Sequence, residues 1–179
     1  MEENQILPCT DIVINDRYLF KEDAILVDYN LSHMLEALVD EVKNKINIVV
    51  FTKNEAIIKF GYEKAIKIIK KAVESKSGIK PNITFVTSND NSRIPHDRFI
   101  ITNYRLIRSG DTFIYFNTKG DKITNGGSLD IDSLANYNTY VFANSLIEKL
   151  QNSYNDIYKI NKDMIWGSKI SNFIIFQNE

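Results

Sequence analysis

The first half of the chain alternates β-rich runs with stretches of helical periodicity, and this alternation limits the possible folds more than any other feature of the sequence. The β-rich runs cover residues 11–16, 47–52 and 83–87, and the helical stretches cover residues 31–46 and 55–74. The run at 47–52 is continuously apolar, which is typical of a strand covered on both faces. A β-α-β-α-β order with such a strand predicts a parallel sheet that carries helices on its faces.

The second half of the chain follows a different pattern. Two further β-rich runs, 98–103 and 112–117, have no helical stretch between them, so we expect an antiparallel pair joined by a turn at Ser109-Gly110. Residues 119–138 are rich in Gly, Asn, Asp and Ser and predict a long loop. The remaining residues predict a short strand at 139–142, a helix through 146–157 and a closing strand at 172–176. The expected architecture is an α/β fold with a mixed central sheet.

The composition predicts one compact domain. The 179 residues are 44% hydrophobic and 11% aromatic, which provides enough apolar surface to bury a core. We expect a single domain over residues 1–179, with residues 1–9 and 177–179 as terminal extensions. Cys9 is the only cysteine, which excludes an intrachain disulfide and a thiolate metal cluster. Residues 1–5 lack the pattern of a signal peptide and no apolar run reaches the length of a membrane span, so a cytoplasmic protein is expected.

The charge of the chain restricts how it could attract an anionic ligand. The formal net charge is −1, so the whole molecule has no long-range attraction for nucleic acid or an anionic membrane. Four of the five arginines nevertheless fall between Arg93 and Arg108. The helical stretch 55–74 carries several lysines, and we interpret these as a solvated basic face or, less simply, as a membrane or nucleic-acid surface. Any polyanion binding must therefore be local.

The strongest candidate site is His96-Asp97-Arg98, at the start of the β-rich run 98–103. It follows a polar loop at 88–93, and the two-residue period of a strand places His96 and Arg98 on the same face. An imidazole beside a guanidinium can bind a phosphate group, since the planar guanidinium matches two phosphate oxygens at once. The alternative is a polar strand entrance with a surface ion pair.

The motif resembles the signature of the phospholipase D superfamily, in which His-x-Lys is followed, after four further residues, by Asp. His96, Arg98 and Asn103 stand at these positions. The resemblance is closest to a divergent branch, the phospholipase D-like carboxy-terminal domain of MIT-domain proteins and its bacterial relatives, where His-Asp-Arg replaces the usual triplet. The segment 126–130 resembles the downstream Gly-Ser element of the family, and 14–19 resembles the turn after its first strand, without the proline.

This resemblance implies a phospholipase D-like α/β/α sandwich, with a mixed central sheet, that binds a phosphodiester of nucleic acid or of a phospholipid headgroup. Family enzymes join two such motifs, so one motif per chain implies a homodimer in which one His96 attacks phosphorus and the other protonates the leaving oxygen. Neither a metal nor another cofactor is expected. The catalytic residues implied are His96, Arg98 and Asn103, and the residues implied to contact phosphate are Arg98, Ser128, Arg93, Asp97 and Asp130.

Two departures from the signature favour a different function. Arg98 keeps the positive charge of the family's lysine, whereas Asn103 replaces a carboxylate with a neutral amide that can only hydrogen-bond. The alternative is therefore a catalytically inactive interaction module that binds an anionic lipid headgroup or a protein partner. Ser128 and Asp130 are equally interpretable as loop-capping residues, and Asp16 with Arg17 as a salt-bridged turn.

Overall fold

The computed structural model describes residues 9–39, 45–123, 127–168 and 175. These residues form one seven-stranded sheet together with helices. The strands are β1 (Asp11–Asn15), β2 (Asn47–Lys53), β3 (Asn82–Ser88), β4 (Arg98–Thr102), β5 (Arg105–Ser109), β6 (Leu129–Ser133) and β7 (Ile165–Gly167). The α-helices are α1 (Ala24–Leu38), α2 (Asn54–Phe60), α3 (Tyr62–Ser77) and α4 (Tyr137–Ile160).

The sheet is mixed, as the sequence predicts. Its strand order is β6-β5-β4-β1-β2-β3-β7. The first three strands run parallel to one another, while β4, β5, β6 and β7 each pair in antiparallel fashion with a neighbour. The mixed α/β class expected from the sequence is therefore confirmed at this level.

Helices cover both faces of the sheet because successive strand residues point to opposite sides. On β1, Ile12 and Ile14 belong to a core cluster that includes residues of α1 and α3, whereas Val13 belongs to a second cluster that includes residues of α4. All three are fully buried. This two-sided burial explains why the central strands are apolar without alternation.

The antiparallel partner of β4 differs from the prediction. The structure pairs β4 with β5, so a strand occupies most of the segment that we expected to connect the two predicted strands, while 112–117 forms no strand beyond one isolated bridge at Phe116. Only Leu106 and Ile107 are buried in β5, and so short an apolar segment gives little strand signal. The backbone amides of Tyr115 and Phe116 instead donate to the side-chain oxygen of Asn30.

The predicted loop at 119–138 contains β6 and the first residues of α4, and the predicted strand at 139–142 lies within α4. Asn136 caps this helix by accepting hydrogen bonds from the backbone amides of Asn138 and Thr139. The predicted helix 55–74 is divided at Gly61, whose φ of 98° is a conformation that glycine adopts readily and other residues rarely adopt. The predicted closing strand at 172–176 lies outside the described residues except for buried Ile175.

Candidate functional site

The candidate site lies where the end of β1 meets the start of β4. These strands are antiparallel, with Asn15 opposite Phe99, so residues 16–18 that follow β1 approach residues 95–97 that precede β4. Thr112, which follows β5, also reaches this edge of the sheet, through a hydrogen bond to Asp16. Three segments distant in sequence therefore meet at one end of the sheet.

Two buried side chains that flank Asp16 hold the loop in front of His96. The Asn15 amide donates to the carbonyl oxygens of Pro95, at 3.1 Å, and Asp97. The Arg17 guanidinium donates from Nε to the carbonyl oxygen of Ile94 at 2.7 Å, and from Nη2 to that of Asn91. Arg17 therefore binds backbone carbonyls and does not form the salt-bridged turn with Asp16 that the sequence allowed. These hydrogen bonds hold the loop through its backbone carbonyls, and they therefore fix the position of the His96 backbone.

Asp16, between these two residues in the sequence, is fully buried, and its carboxylate connects the segments that form the site. Its carboxylate accepts hydrogen bonds from Thr112 Oγ1 at 2.6 Å, from the Phe113 amide at 3.0 Å and from the Tyr18 amide at 2.8 Å. Its Oδ1 lies 4.0 Å from Arg98 Nε. Burial raises the pKa of Asp16, and the three donors and the charge of Arg98 oppose that increase.

Arg98 combines a fixed position with unused hydrogen-bonding capacity. Its side chain is 16% exposed, its guanidinium lies 5.5 Å from the centre of the Tyr18 ring, and its Nη1 makes a long 3.4 Å bond to the carbonyl oxygen of Gly110. Within the described ranges its buried Nε has no hydrogen-bond partner. A guanidinium that is held in place but incompletely bonded is suited to an anionic ligand.

Two lysines lie around the same Tyr18 ring as Arg98 and add positive charge to the site. Lys21 Nζ and Lys53 Nζ lie 5.1 Å and 5.5 Å from the ring centre. Glu55 pairs with both lysines, at 3.5 Å and 3.9 Å. Even when Glu55 and Asp16 are both ionised, the three cations leave this cluster with a net positive charge.

His96 is exposed at the rim of the cluster. Its ring meets the Tyr18 ring edge-on, with centres 6.1 Å apart and planes at 71°. His96 and Arg98 therefore contact the same tyrosine, which agrees with their placement on one face. In the part of the chain that the structure describes, no carboxylate hydrogen-bonds to the imidazole. His96 is accessible to a ligand but lacks an orienting acid.

A cleft of about 440 Å³ separates the His96 loop from the middle of α4. Arg93 and Asp97 line it from the loop, and Lys149 and Asp156 line it from the helix. Arg93 is bound to Asp90 at 2.8 Å. Hydrogen bonds from Ser92, and then from Arg93, lower the pKa of Asp90 to about 2. Arg93 and Asp97 thus lie near His96, but Arg93 already has an anionic partner.

The structure does not bring Asn103 to His96. The two residues lie beyond opposite ends of β4, and the Asn103 side-chain oxygen accepts hydrogen bonds from the backbone amides of Thr10 and Asp11, both at 2.9 Å. This side chain holds the entrance to β1 against the end of β4. Asn103 therefore has a structural role. It is remote from His96, because a strand of this length separates its two ends by about 15 Å or more.

The other downstream candidates are divided between two locations. The carbonyl oxygen of Ser128 accepts a hydrogen bond from the Gly110 amide at 3.0 Å, and Gly110 in turn accepts one from Arg98. Ser128 therefore lies one residue away from the cluster. Asp130 lies on β6, 3.9 Å from Arg108, where it belongs to a surface ion pair.

Tyr18, Lys53 and Asp16 carry much of the geometry, and sequence reasoning did not assign them this role. The resemblance of the segment 14–19 to a family turn is the available signal for Asp16 and Tyr18. Lys53 is the last residue of β2 and has no local signal, because only the parallel pairing of β1 and β2 brings it to Tyr18.

The described residues offer neither a metal-binding cluster nor a membrane-spanning helix. The described residues contain no group of three or more His, Cys, Asp or Glu side chains placed to hold a metal ion. None of the helices in the described ranges combines the length and apolar character needed to cross a bilayer. Comparison of the chain with protein-family models and with curated proteins gives no match to either.

Proposed function

We propose that this domain recognises a phosphate or phosphodiester group at the cluster of Tyr18, His96 and Arg98, in the manner of the phospholipase D superfamily. The observation that carries the proposal is the state of Arg98. Buried Asp16 and the Tyr18 ring fix its guanidinium, while Nη1 on its exposed side makes only a long 3.4 Å bond to the carbonyl oxygen of Gly110. A phosphate oxygen would supply a closer acceptor at this end of the guanidinium and complete a charge-assisted bond.

The surrounding charges support the same ligand. Lys21 and Lys53 add two ammonium groups around the same ring, and because they share the single carboxylate of Glu55 the pair keeps a positive charge that attracts a phosphate oxygen. A nucleic acid strand and a phospholipid headgroup both present the phosphodiester that this arrangement fits.

We also propose a route to turnover, which requires two copies of the chain. His96 of one copy would attack phosphorus, forming an N–P bond as the P–O bond to the leaving group breaks. His96 of the partner subunit would donate its proton to that leaving oxygen. Water would then cleave the phosphohistidine and return a proton to the same partner imidazole, releasing a phosphomonoester. Arg98 would stabilise the negative charge that develops on the phosphoryl oxygens.

A second candidate function is phosphate binding without turnover. The observation that favours it is the environment of His96, whose imidazole has no carboxylate partner in the described residues, while neutral Asn103 lies at the far end of β4. The domain would then act as an interaction module for an anionic headgroup or strand.

Calorimetric titration with a thymidine dinucleotide, which carries one phosphodiester, tests recognition. We expect Arg98→Ala to weaken binding about tenfold or more and Arg98→Lys to retain part of it, because the lost bond involves a charged donor. Arg105→Ala is the matched control, since Arg105 is exposed at the start of β5, beside the opposite end of β4. Equal binding by wild type and Arg98→Ala, with both variants folded, would contradict the proposal.

A metal-free assay separates the two candidates. Hydrolysis of single-stranded oligothymidylate in the presence of a chelator, lost in His96→Asn, supports turnover. Binding without hydrolysis supports the module. Co-sedimentation with phosphoinositide vesicles, compared with vesicles of neutral lipid, then decides between the nucleic acid and the headgroup as the natural source of the phosphate.

A further inference from the structure

We propose that β6 is a docking edge for an extended segment of a partner protein in which basic and apolar residues alternate. This surface lies on the outermost strand of the sheet, separate from the phosphate site. Its backbone, its apolar side chains and its charges each restrict the partner.

The backbone of β6 is open on one side. β6 is the terminal strand of the sheet order, and it pairs through Leu129–Ser133 with β5 alone. No described strand lies along its other edge. Such an edge offers unpaired N–H and C=O groups to an added strand, which is a common mode of peptide recognition.

One face of β6 is apolar and exposed. Leu129 and Ile131 are 49% and 59% exposed, and both line a cleft of about 480 Å³ between α1 and the sheet. Tyr29, Met34 and Phe116 line the same cleft. Phe116 is itself 46% exposed, so among the described residues Phe116, Leu129 and Ile131 are exposed large apolar side chains that line one cleft. A contiguous exposed apolar patch of this kind marks an interaction site.

The opposite face of β6 is acidic. Asp130 and Asp132 lie 3.9 Å and 3.0 Å from the same nitrogen of Arg108, and their side chains are partly exposed. One arginine for two carboxylates leaves this face with a net negative charge. An added strand would place its own side chains beside these carboxylates on one face and beside Leu129 and Ile131 on the other. The complementary segment therefore has Lys or Arg at every second position and apolar residues between them.

A second copy of this chain fits the edge poorly. In a symmetric antiparallel pair of β6 strands, the acidic faces of both copies would lie on the same side of the joined sheet. Asp130 and Asp132 of one copy would then lie opposite the same two carboxylates of the other. Like charges directly opposite each other destabilise an antiparallel pair. The edge thus selects against self-association and favours a basic partner.

Fluorescence anisotropy with two labelled ten-residue peptides tests this proposal. One alternates Lys with Ile and the other alternates Glu with Ile. We expect the wild-type chain to bind the Lys peptide about tenfold or more tightly than the Glu peptide, and hydrogen exchange to show protection of the Leu129–Ser133 amides in the complex. In Asp130→Lys, Arg108 keeps its closer partner Asp132, and the preference should shift towards the Glu peptide.

A matched pair of variants tests the apolar contact. Ile131→Gln should weaken binding of the Lys peptide several-fold. Ile58→Gln should leave it unchanged, because Ile58 is equally exposed, at 61% against 59%, but lies on α2. Equal affinity for both peptides, no binding of either, or an equal effect of the two substitutions would overturn the proposal. A peptide-free dimer that Ile131→Gln dissociates would also overturn it, in favour of a second copy.

Discussion

Arg98 and Asn103 share one sequence motif but lie in different environments. Among the described residues the buried Nε of Arg98 has no hydrogen-bond partner and its guanidinium faces the Tyr18 ring, whereas the amide oxygen of Asn103 is already occupied by the backbone amides of Thr10 and Asp11. The motif spacing predicted the neighbourhood of His96 and Arg98 because residues two apart share a strand face. It could not predict the position of Asn103, since the pairing partner of the end of β4 is set by tertiary structure.

Substitution of Asn103 tests this difference. Asn103→Ala leaves two backbone amides without their acceptor, so we expect the free energy of unfolding to fall by about 1–3 kcal/mol. The affinity for a thymidine dinucleotide should not change. Urea denaturation and calorimetric titration measure the two quantities. If the affinity falls while the stability is preserved, Asn103 acts in the site and its structural assignment is wrong.

The raised pKa of Asp16 gives a pH dependence of known sign. Above its ordinary pKa of 3.8, the folded protein retains the Asp16 proton over a range in which the unfolded chain has lost it. The folded state is therefore stabilised at low pH relative to high pH by this group, and that contribution is lost as pH rises through the raised pKa.

Asp16→Asn should remove this dependence, because the amide cannot titrate. We expect the free energy of unfolding of wild type minus that of Asp16→Asn to decrease between about pH 4 and about pH 7. Urea denaturation of both proteins across that range provides the measurement. A difference that grows with pH would mean that the hydrogen-bond donors and Arg98 lower the pKa of Asp16 by more than burial raises it.

At the level of elements, the sequence predicted the parallel core better than the edges. β1, β2 and β3 are buried on both faces and separated by periodic helices, so local pattern and tertiary position agree. β5 and β6 each contain five residues with little or no regular burial, and their strand state depends on pairing with a neighbour. The first turn of α4 has exposed Tyr137, whose strand propensity is overridden by the Asn136 cap.

Gly167 gives a test at the scale of one strand. It ends β7 with φ 106°, and a Cβ there would overlap the carbonyl oxygen of Ile83. Gly167→Ala should therefore release β7 and cost about 1–3 kcal/mol or more. Trp166, the only tryptophan of the chain, stacks on Tyr62 with ring centres 4.4 Å apart, so its fluorescence should report the release.

Gly78 is the matched control for this substitution. It has φ 70° at the end of α3, but a Cβ there would meet no atom within 4 Å. Gly78→Ala should lower the stability by about 1 kcal/mol through its backbone conformation alone and leave the Trp166 emission unchanged. Similar emission spectra for both variants would show that β7 does not depend on Gly167.

At the scale of the whole molecule, turnover depends on association. One His96 per chain requires a second copy, since His33 lies on α1 and contacts Tyr29 there. Sedimentation equilibrium should then give a mass of twice 20.7 kDa for the active species, and hydrolysis per chain should fall on dilution. A mass of 20.7 kDa at every concentration that supports hydrolysis would exclude the two-histidine route and leave phosphate binding alone.

We propose that phosphate binds at the cluster around Arg98 rather than at another basic surface. A lysine-rich hollow on α3, lined by Lys67, Lys70 and Lys71, is the competing surface. Titration of ¹⁵N-labelled protein with a thymidine dinucleotide, followed by two-dimensional NMR, distinguishes the two directly. We expect amide shifts at Tyr18, Arg98 and Gly110 that saturate together and are absent in Arg98→Ala. Shifts confined to α3, or unchanged in Arg98→Ala, would contradict this assignment of the site.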